Sequence, residues 1–343
     1  MRYELTWNDA RVRAVHHLPG DVRMIEIAPE GGARSYPPGS HIEVRVQIDG
    51  APDVRHYSLV GDRPADGAYR IAVSHHPDSR GGSEYMRARE PGDRVSVSDP
   101  QNLFPLSYGS PEYLLVAGGI GITPIVGMAY VLERRDEPFR MIYAGRRRAK
   151  MPFLDELSER LGDRLRLCVS DEGTRMDVAE EIAKLHEEAE LYLCGPRRMV
   201  DACRRAWAAQ GRHPAGLRLE TFANSGEHAP EPFLVHVDDH GVDVEVPERR
   251  TMLSALREAG VHVMYDCLRG ECGLCAVQIL EAEGEIDHRD VFLSDEERAE
   301  GDKICTCVSR VVGGSIKVDT GYRHAGVEPG RRRELFDAFS PGG

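Results

Sequence analysis

"CLRGECGLC", residues 267–275, carries three cysteines at a C-x4-C-x2-C spacing, and what those thiols bind decides the architecture around them. With a distant fourth cysteine, that spacing is the plant-type [2Fe–2S] pattern. Gly270 and Gly273 lie inside the loop, where they let backbone amides turn toward cluster sulfurs. Two downstream cysteines in "KICTCVSR", Cys305 and Cys307, compete for the fourth position. Structural zinc prefers paired C-x2-C units or histidines. The far end offers C-x-C and no nearby histidine pair, so iron–sulfur is the expected occupant.

Outward from this loop, composition narrows the function classes. The chain has 343 residues, 41% hydrophobic and 29% charged, with no low-complexity tract, which predicts a globular protein of about three domains. Eight cysteines are too few for a disulfide scaffold at this length, and five crowd the last quarter. The net charge of -13 is uneven: Glu231 to Gly321 holds 20 Asp+Glu against 9 Lys+Arg. Such an acidic module repels nucleic acid and suits a basic protein partner or simple solubility. The opening stretch "MRYELTWNDARVRAVHHLPG" has scattered charges and no apolar run, so a cytoplasmic chain without a signal peptide is expected. Tyr113 to Leu132 is uncharged over 20 residues, but its glycines and proline read as strand, turn and helix, not as a membrane span.

Three patterns follow one another. From Val12 to about Pro105, alternating runs such as "HIEVRVQI", "RHYSLV", "YRIAVS" and "DRVSVS" predict an antiparallel barrel. Next, "EYLLVAGG", "FRMIYAG", "LRLCVS" and "ELYLCG" alternate with helix-like stretches such as "PIVGMAYVLERR", "FLDELSERLG" and "DVAEEIAKLHEE", which implies a parallel α/β sheet. "NSGEHAPEP" reads as a linker. Beyond it come a strand pair turned at Asp239 to Gly241, the helix "TMLSALREAG" and the cysteine loop. The expected boundaries are 1–108, 109–223, a linker at 224–232, 233–321 and a tail at 322–343.

The middle pattern carries a phosphate cradle. "VAGGIGITP" places Gly118, Gly119 and Gly121 after a strand, with Thr123 as the expected N-cap and Pro124 as the first helical residue. A helix start of this kind presents free N–H groups and a positive dipole end to a pyrophosphate. "LYLCGPRRM" adds a second turn, Cys194, Gly195 and Pro196, at the same sheet edge, and two such turns make a ligand crevice. In the first pattern, "RHYSLVG" offers Arg55, His56, Tyr57 and Ser58: a cation for phosphate, an aromatic ring for a flavin, and a hydroxyl for a redox nitrogen. A surface arginine and a core tyrosine would look the same. "SRGGSEYM" contributes Gly81, Gly82 and Ser83 before a short helix as another anion seat.

In this order, and to about Gly321, the chain resembles the phthalate dioxygenase reductase and vanillate demethylase reductase family. The resemblance is carried by "RHYSLVGD", "RGGSEYM", "DPQNLFPL", "VAGGIGITPI", "YLCGPRRM", "CLRGECGLCAV" and "RDVFLSDEERAEGDKICTCVSR". It implies a Greek-key flavin-binding barrel, a parallel α/β nucleotide-binding domain and a C-terminal β-grasp ferredoxin domain. It also implies that Arg55, Tyr57 and Ser58 hold FMN, with Ala72, Val73, Gly81, Gly82 and Ser83 along ring and phosphate. Thr123 would lie near flavin and nicotinamide, Phe222 of "LETFAN" beside the flavin, and Cys194 in a positioning role. Its "T-C-V" setting makes Cys307 the fourth cluster ligand with Cys267, Cys272 and Cys275, leaving Cys305 an extra thiol.

The expected activity is electron transfer from NADH through FMN and a [2Fe–2S] cluster to a terminal oxygenase, Rieske-type or haem, by a chain that is monomeric on its own. A flavin between a hydride donor and a one-electron acceptor splits the electron pair. The rivals are a protein-binding module with a zinc-filled loop and a free-standing NADH:quinone or dye reductase. For the nucleotide, "AGRRRAK" could seat a 2′-phosphate, whereas Asp171 of "CVSDEG" would accept a ribose diol and repel that phosphate, which favours NADH. The tail "RRRELFDAF" is read as a frayed appendix or a docking segment.

Overall fold

The computed structural model describes residues 5–75, 81–222, 226 and 228–322. The linker residues Asn224, Ser225 and Glu227, and the tail beyond Tyr322 including "RRRELFDAF", lie outside them.

The first domain is a six-stranded antiparallel sheet of β1 (Trp7–Leu18), β2 (Val22–Pro29), β3 (His41–Ile48), β4 (Ala51–Ser58), β5 (Tyr69–Ser74) and β6 (Arg94–Ser98), with the short helix α1 (Gly82–Arg87) before β6. Its order, β4-β3-β6-β1-β2-β5, takes the chain back between β1 and β3 in a Greek-key path. The outer strands meet through the single isolated bridge Leu59–Ile71, with Val60 N–H donating to the Arg70 carbonyl at 2.8 Å, and not along a full ladder. Period-two alternation decides the facing: Ile42, Val44, Val46 and Ile48 of β3 point into the core with Ile25, Ile27 and Val97. His41 and Glu43 therefore take the other face.

The second domain is the parallel sheet β11-β10-β7-β8-β9, formed by β7 (Tyr113–Gly118), β8 (Phe139–Gly145), β9 (Leu165–Val169), β10 (Glu190–Cys194) and β11 (Leu217–Glu220). Strand β7 is buried throughout and splits its side chains between two cores, Tyr113, Leu115 and Ala117 on one face, Leu114 and Val116 on the other. Each such side chain contributes about 1.5–3 kcal/mol on burial. Helices α2 (Ile122–Arg134), α3 (Leu154–Leu161), α4 (Val178–Ala183) and α5 (Arg197–Ala209) connect the strands. The uncharged stretch from Tyr113 is thus strand, turn and helix, and no helix among the described residues is long and apolar enough to cross a membrane.

Two local expectations need correction. Helix α2 starts at Ile122 with Gly121 at the N-cap, because a 3-10 turn over Gly119–Gly121 opens it earlier; Thr123 is inside the first turn, its hydroxyl donating to the Ile120 carbonyl at 3.1 Å. Pro124 is therefore not the first helical residue either. Helix α4 covers only six residues of "DVAEEIAKLHEE". It stops because Arg212, from a distant segment, donates to the carbonyls of Ile182, Leu185 and His186, giving the chain another way to satisfy them.

The third domain is the mixed sheet β13-β12-β16-β14-β15, from β12 (Phe233–Val237), β13 (Val242–Val246), β14 (Ala276–Asp287), β15 (Lys303–Cys305) and β16 (Arg310–Asp319). β12 and β16 run parallel and the other neighbours antiparallel, which is the β-grasp arrangement. Helix α6 (Met252–Glu258) is capped by Thr251, whose hydroxyl accepts from Ser254 N–H at 3.0 Å, and it buries Met252, Leu253 and Leu256 on the sheet. Helix α7 (Asp295–Glu300) starts in a Ser294–Glu297 capping box. Tyr322 stacks on His262, with ring centroids 5.1 Å apart.

Candidate functional site

All three domains contribute to one cavity of about 540 Å³. The first supplies Arg55, His56, Tyr57 and Ser58 from β4, Ala72 and Val73 from β5, and Gly82 and Ser83 at the start of α1. Because β4 is an outer strand of its sheet, side chains from both of its faces reach the cavity. Tyr57 O–H donates to the Gly82 carbonyl at 3.1 Å, and burial pushes the phenol well up, so it remains neutral. Arg55 pairs with Asp53 at 2.8 Å. A Cβ on Gly82 would lie 2.6 Å from the Arg55 side chain, so only glycine fits this wall. Gly81 does not line the cavity; its φ of 84° places it in the left-handed region at the N-cap of α1. His41 and His56 have rings 5.3 Å apart, and buried Glu43 lies 4.0 Å from His56 Nδ1.

The second domain adds Thr123, Ile120 and, at the end of its last strand, Thr221 and Phe222. Its two predicted turns meet at the reversal of strand order, where β7 lies between β8 and β10. A Cβ on Gly121 would stand 2.3 Å from the Cys194 carbonyl oxygen, and one on Gly118 2.6 Å from Pro196 Cδ. Gly119, at φ 56°, has open space beside it, leaving its backbone accessible to a ligand. Gly119, Gly121, Pro124, Cys194, Gly195 and Pro196 lie outside the cavity lining, with Gly121 packed on Cys194 and Gly118 on Pro196 where the two turns meet. Cys194 is fully buried, and that burial holds its thiol well above the usual range, which fits packing and not nucleophilic attack. Asp171 stands apart at the end of β9, where Arg147 Nε donates to it at 2.8 Å and Arg146 lies at 3.5 Å. Those guanidiniums hold its carboxyl below the ordinary value, and Glu172 takes Arg148 at 2.7 Å. The three arginines are ion-paired to carboxylates.

The third domain closes the cavity with Ser254 and Arg257 of α6, with Leu268 and Arg269 of the cysteine loop, and with Cys307. The loop gathers the sulfurs. Cys267 contacts Cys307, while Cys275 contacts both Cys305 and Cys307; hydrogen bonds from those thiols pull the Cys267 and Cys275 thiols below the usual range against the opposing effect of burial. The amides of Arg269 and Glu271 each donate to Cys267 Sγ at 3.4 Å. Cys272, partly exposed, also lies against Cys267. Cys305 is fully buried at the end of β15 and touches only Cys275 of the loop cysteines by hydrogen bond. A soft, four-thiolate donor set with amides aimed at sulfur is the chemistry that an iron–sulfur cluster requires. Cysteines 168 and 203 are buried in the second domain's core.

A polar bridge that the sequence reading did not foresee joins these parts. Ser58 Oγ donates to Glu220 Oε2 at 3.0 Å, and Arg269 Nη1 donates to Glu220 Oε1 at 2.5 Å. Arg269 Nη2 lies 3.2 Å from Glu271, whose other oxygen accepts from Thr221 N–H at 2.8 Å. Burial raises the Glu220 carboxyl against the opposing pull of Arg269 and Ser58, and it pushes Glu271 up to about 7. The signal was present: Glu220 places a carboxylate at the end of β11, one residue before Thr221, and Arg269 and Glu271 put charge inside a cysteine loop. What the sequence could not show was that they meet.

The described geometry fits known proteins. Residues 115–205 match the family model of an oxidoreductase NAD-binding domain, and residues 235–312 that of a 2Fe-2S iron-sulfur cluster binding domain. The phenoxybenzoate dioxygenase subunit beta of Ectopseudomonas oleovorans is 37% identical over 87% of this chain and 93% of its own length. The heme-dependent oxidative N-demethylase beta subunit of Ectopseudomonas mendocina is 36% identical over 91% of this chain and 98% of its own. The solved structure of phthalate dioxygenase reductase, described as modular for electron transfer from pyridine nucleotides to [2Fe-2S], superimposes with a TM-score of 0.73 at 30% identity, covering 91% of this chain and 98% of that one.

Proposed function

This chain belongs to the phthalate dioxygenase reductase family, and from that premise we propose which of its residues seat each redox group and pass electrons to a partner oxygenase. It is an NADH-dependent flavin iron–sulfur oxidoreductase, the reductase component of an oxygenase system, with FMN, NADH and a [2Fe–2S] cluster as its cofactors. FMN supplies the conversion between a hydride and single electrons.

The cavity is the FMN seat. Its volume lies within the range of cofactor pockets. Arg55 with Gly82 and Ser83 forms the phosphate end, and the missing Cβ at Gly82 lets the Arg55 side chain lie against it. Tyr57, Ala72, Val73 and Phe222 pack on the ring. Ser58 and Thr123 bring hydroxyls to the side where the nicotinamide arrives. The crevice of Gly119, Gly121, Pro124, Cys194, Gly195 and Pro196 takes the NADH pyrophosphate and orients the nicotinamide, and Asp171 takes the adenosine ribose. Orientation, not acid–base chemistry, is the chain's main contribution. His56, from the same strand as Arg55 and Tyr57, also lines this seat.

Cys267, Cys272, Cys275 and Cys307 hold the cluster. Cys307 is favoured over Cys305 because it contacts two loop sulfurs and lines the cavity, whereas Cys305 is hydrogen-bonded to Cys275 and does not line it. The domain limits follow: 1–108 for flavin, 109–223 for nucleotide, 233–321 for the cluster. The electron acceptor is a Rieske-type or haem oxygenase, bound by a monomeric reductase through the acidic third domain. Leu274 and Phe292 are exposed beside the cluster loop, and Asp295, Glu296 and Glu300 of α7 flank them.

One observation carries this reading: Ser58, Thr123 and Phe222 share a single cavity wall with Arg269 and Cys307, so the flavin seat and the cluster loop adjoin. Absorbance spectroscopy of the purified full-length protein tests it. Flavin and iron–sulfur bands that bleach on adding NADH are expected. A colourless protein containing zinc would contradict it.

A further inference from the structure

The cluster loop carries a residue that lines the cavity and also reaches into the second domain. Arg269 is nearly buried, yet its guanidinium leaves its own domain to meet Glu220, at the end of the last nucleotide-domain strand, at 2.5 Å. Glu220 has no solvent exposure and holds Ser58 of the flavin strand at 3.0 Å with its other oxygen. The same arginine pairs with Glu271, which in turn accepts from the Thr221 amide. Through its own N–H, Arg269 also donates to Cys267 Sγ. The residue before it, Leu268, holds a left-handed φ of 56°, a conformation that persists in a non-glycine residue only when its surroundings over-determine it. One side chain therefore ties three domains together, and its backbone grips a cluster sulfur.

We propose that Arg269 is the positioning residue for electron entry: its bond to Glu220 and Ser58 holds the Cys267 side of the cluster loop against the flavin cavity. This rests on the cavity being the flavin seat and the loop the cluster seat. NADH leaves as NAD⁺ and a proton, and its two electrons cross this contact one at a time, so the contact must hold for both crossings. A buried arginine suits the task. Its planar fork pairs with two carboxylates at once, and removing it would leave both of them buried without a countercharge.

The test uses full-length protein loaded with FMN and cluster, with Arg269→Met and Arg269→Lys. Anaerobic stopped-flow separates flavin bleaching by NADH from electron arrival at the cluster, and hydrogen exchange reports the amides of residues 267–273. The expected result for R269M is a flavin-to-cluster step slowed by on the order of 100-fold, well beyond any change in flavin bleaching, with faster amide exchange in the loop. R269K recovers part of the rate, because an ammonium can pair with one carboxylate. An iron-loaded R269M with wild-type transfer, or with both steps slowed equally, overturns the proposal. If R269M does not retain iron, Glu271→Gln decides: it removes one of the two ion pairs but keeps the acceptor for Thr221 N–H, so intermediate slowing supports the role and unchanged transfer overturns it. A wild-type protein whose cluster is never reduced by NADH would instead overturn the cofactor assignment on which the proposal rests.

Discussion

The two sides of the cysteine loop differ in almost every physical respect. On one side, Arg269 is buried and ion-paired to Glu220 of the second domain, and half-buried Glu271 pairs with Arg269 and accepts from the Thr221 amide. On the other, Gly273 lies under the exposed ring of Phe292, next to exposed Leu274, with acidic α7 alongside. The first contact is intramolecular and permanent, so it can be rigid, desolvated and charged. The second, as the proposed docking face, would be made and broken with a separate protein, which suits an open surface with an apolar centre and a charged rim. A reductase of this design keeps entry fixed and exit accessible.

The largest expected effect removes the feature that both sides share. Cys307→Ser should lower bound iron by about tenfold or more and end transfer to any cluster-dependent acceptor. Cys305→Ser should keep the iron and instead lower stability by about 1–3 kcal/mol, the cost of a hydroxyl left in an apolar core. Iron analysis and thermal melts of the two variants separate these outcomes, and the reverse pattern would exchange the roles of the two thiols.

Next in size is a change confined to the exit side. Phe292→Ser should weaken productive encounter with the partner oxygenase by roughly thirtyfold, about 2 kcal/mol, while NADH-driven reduction of the cluster is unchanged. Steady-state titration with the oxygenase measures it. An equal loss of internal cluster reduction would erase the distinction between the sides. The acidic rim adds a salt effect: raising ionic strength from low to physiological should slow oxygenase reduction roughly tenfold and leave flavin bleaching by NADH alone. Indifference to salt would exclude charge as the guide.

The smallest effect lies far from the loop. Asp171→Ala releases Arg146 and Arg147 from their ion pairs and should raise the preference for NADPH over NADH roughly fivefold, the scale of an exposed ion pair, in kcat/KM ratios. No shift would mean that the arginines do not face the nucleotide.

Much of this molecule is legible in its residues because the relevant signals are local. Alternation in "HIEVRVQI", the apolar β7 run and the cysteine spacing each depend on neighbours in sequence, and the strands they predicted are present. Single-residue positions were less secure where a tertiary contact intervened. Thr123 is not the cap of α2 because a 3-10 turn precedes it, and α4 stops early because Arg212 reaches its carbonyls. The site followed the same rule. Arg55, Tyr57, Ser58, Thr123 and Phe222 were named from motifs and line one cavity. Glu220, Arg269 and Glu271 went unnamed because their meaning arises only when residues about 50 positions apart come within hydrogen-bond reach.

The most direct test of the whole account is anaerobic addition of NADH to the purified protein, with iron, acid-labile sulfide and the paramagnetic signal of a reduced cluster measured on one sample. The account predicts about two irons and two sulfides per chain and a signal that grows as the flavin is reduced and reoxidised. Absence of iron and sulfide, or a cluster that NADH leaves oxidised while dithionite reduces it, would contradict the proposed route from nicotinamide to cluster.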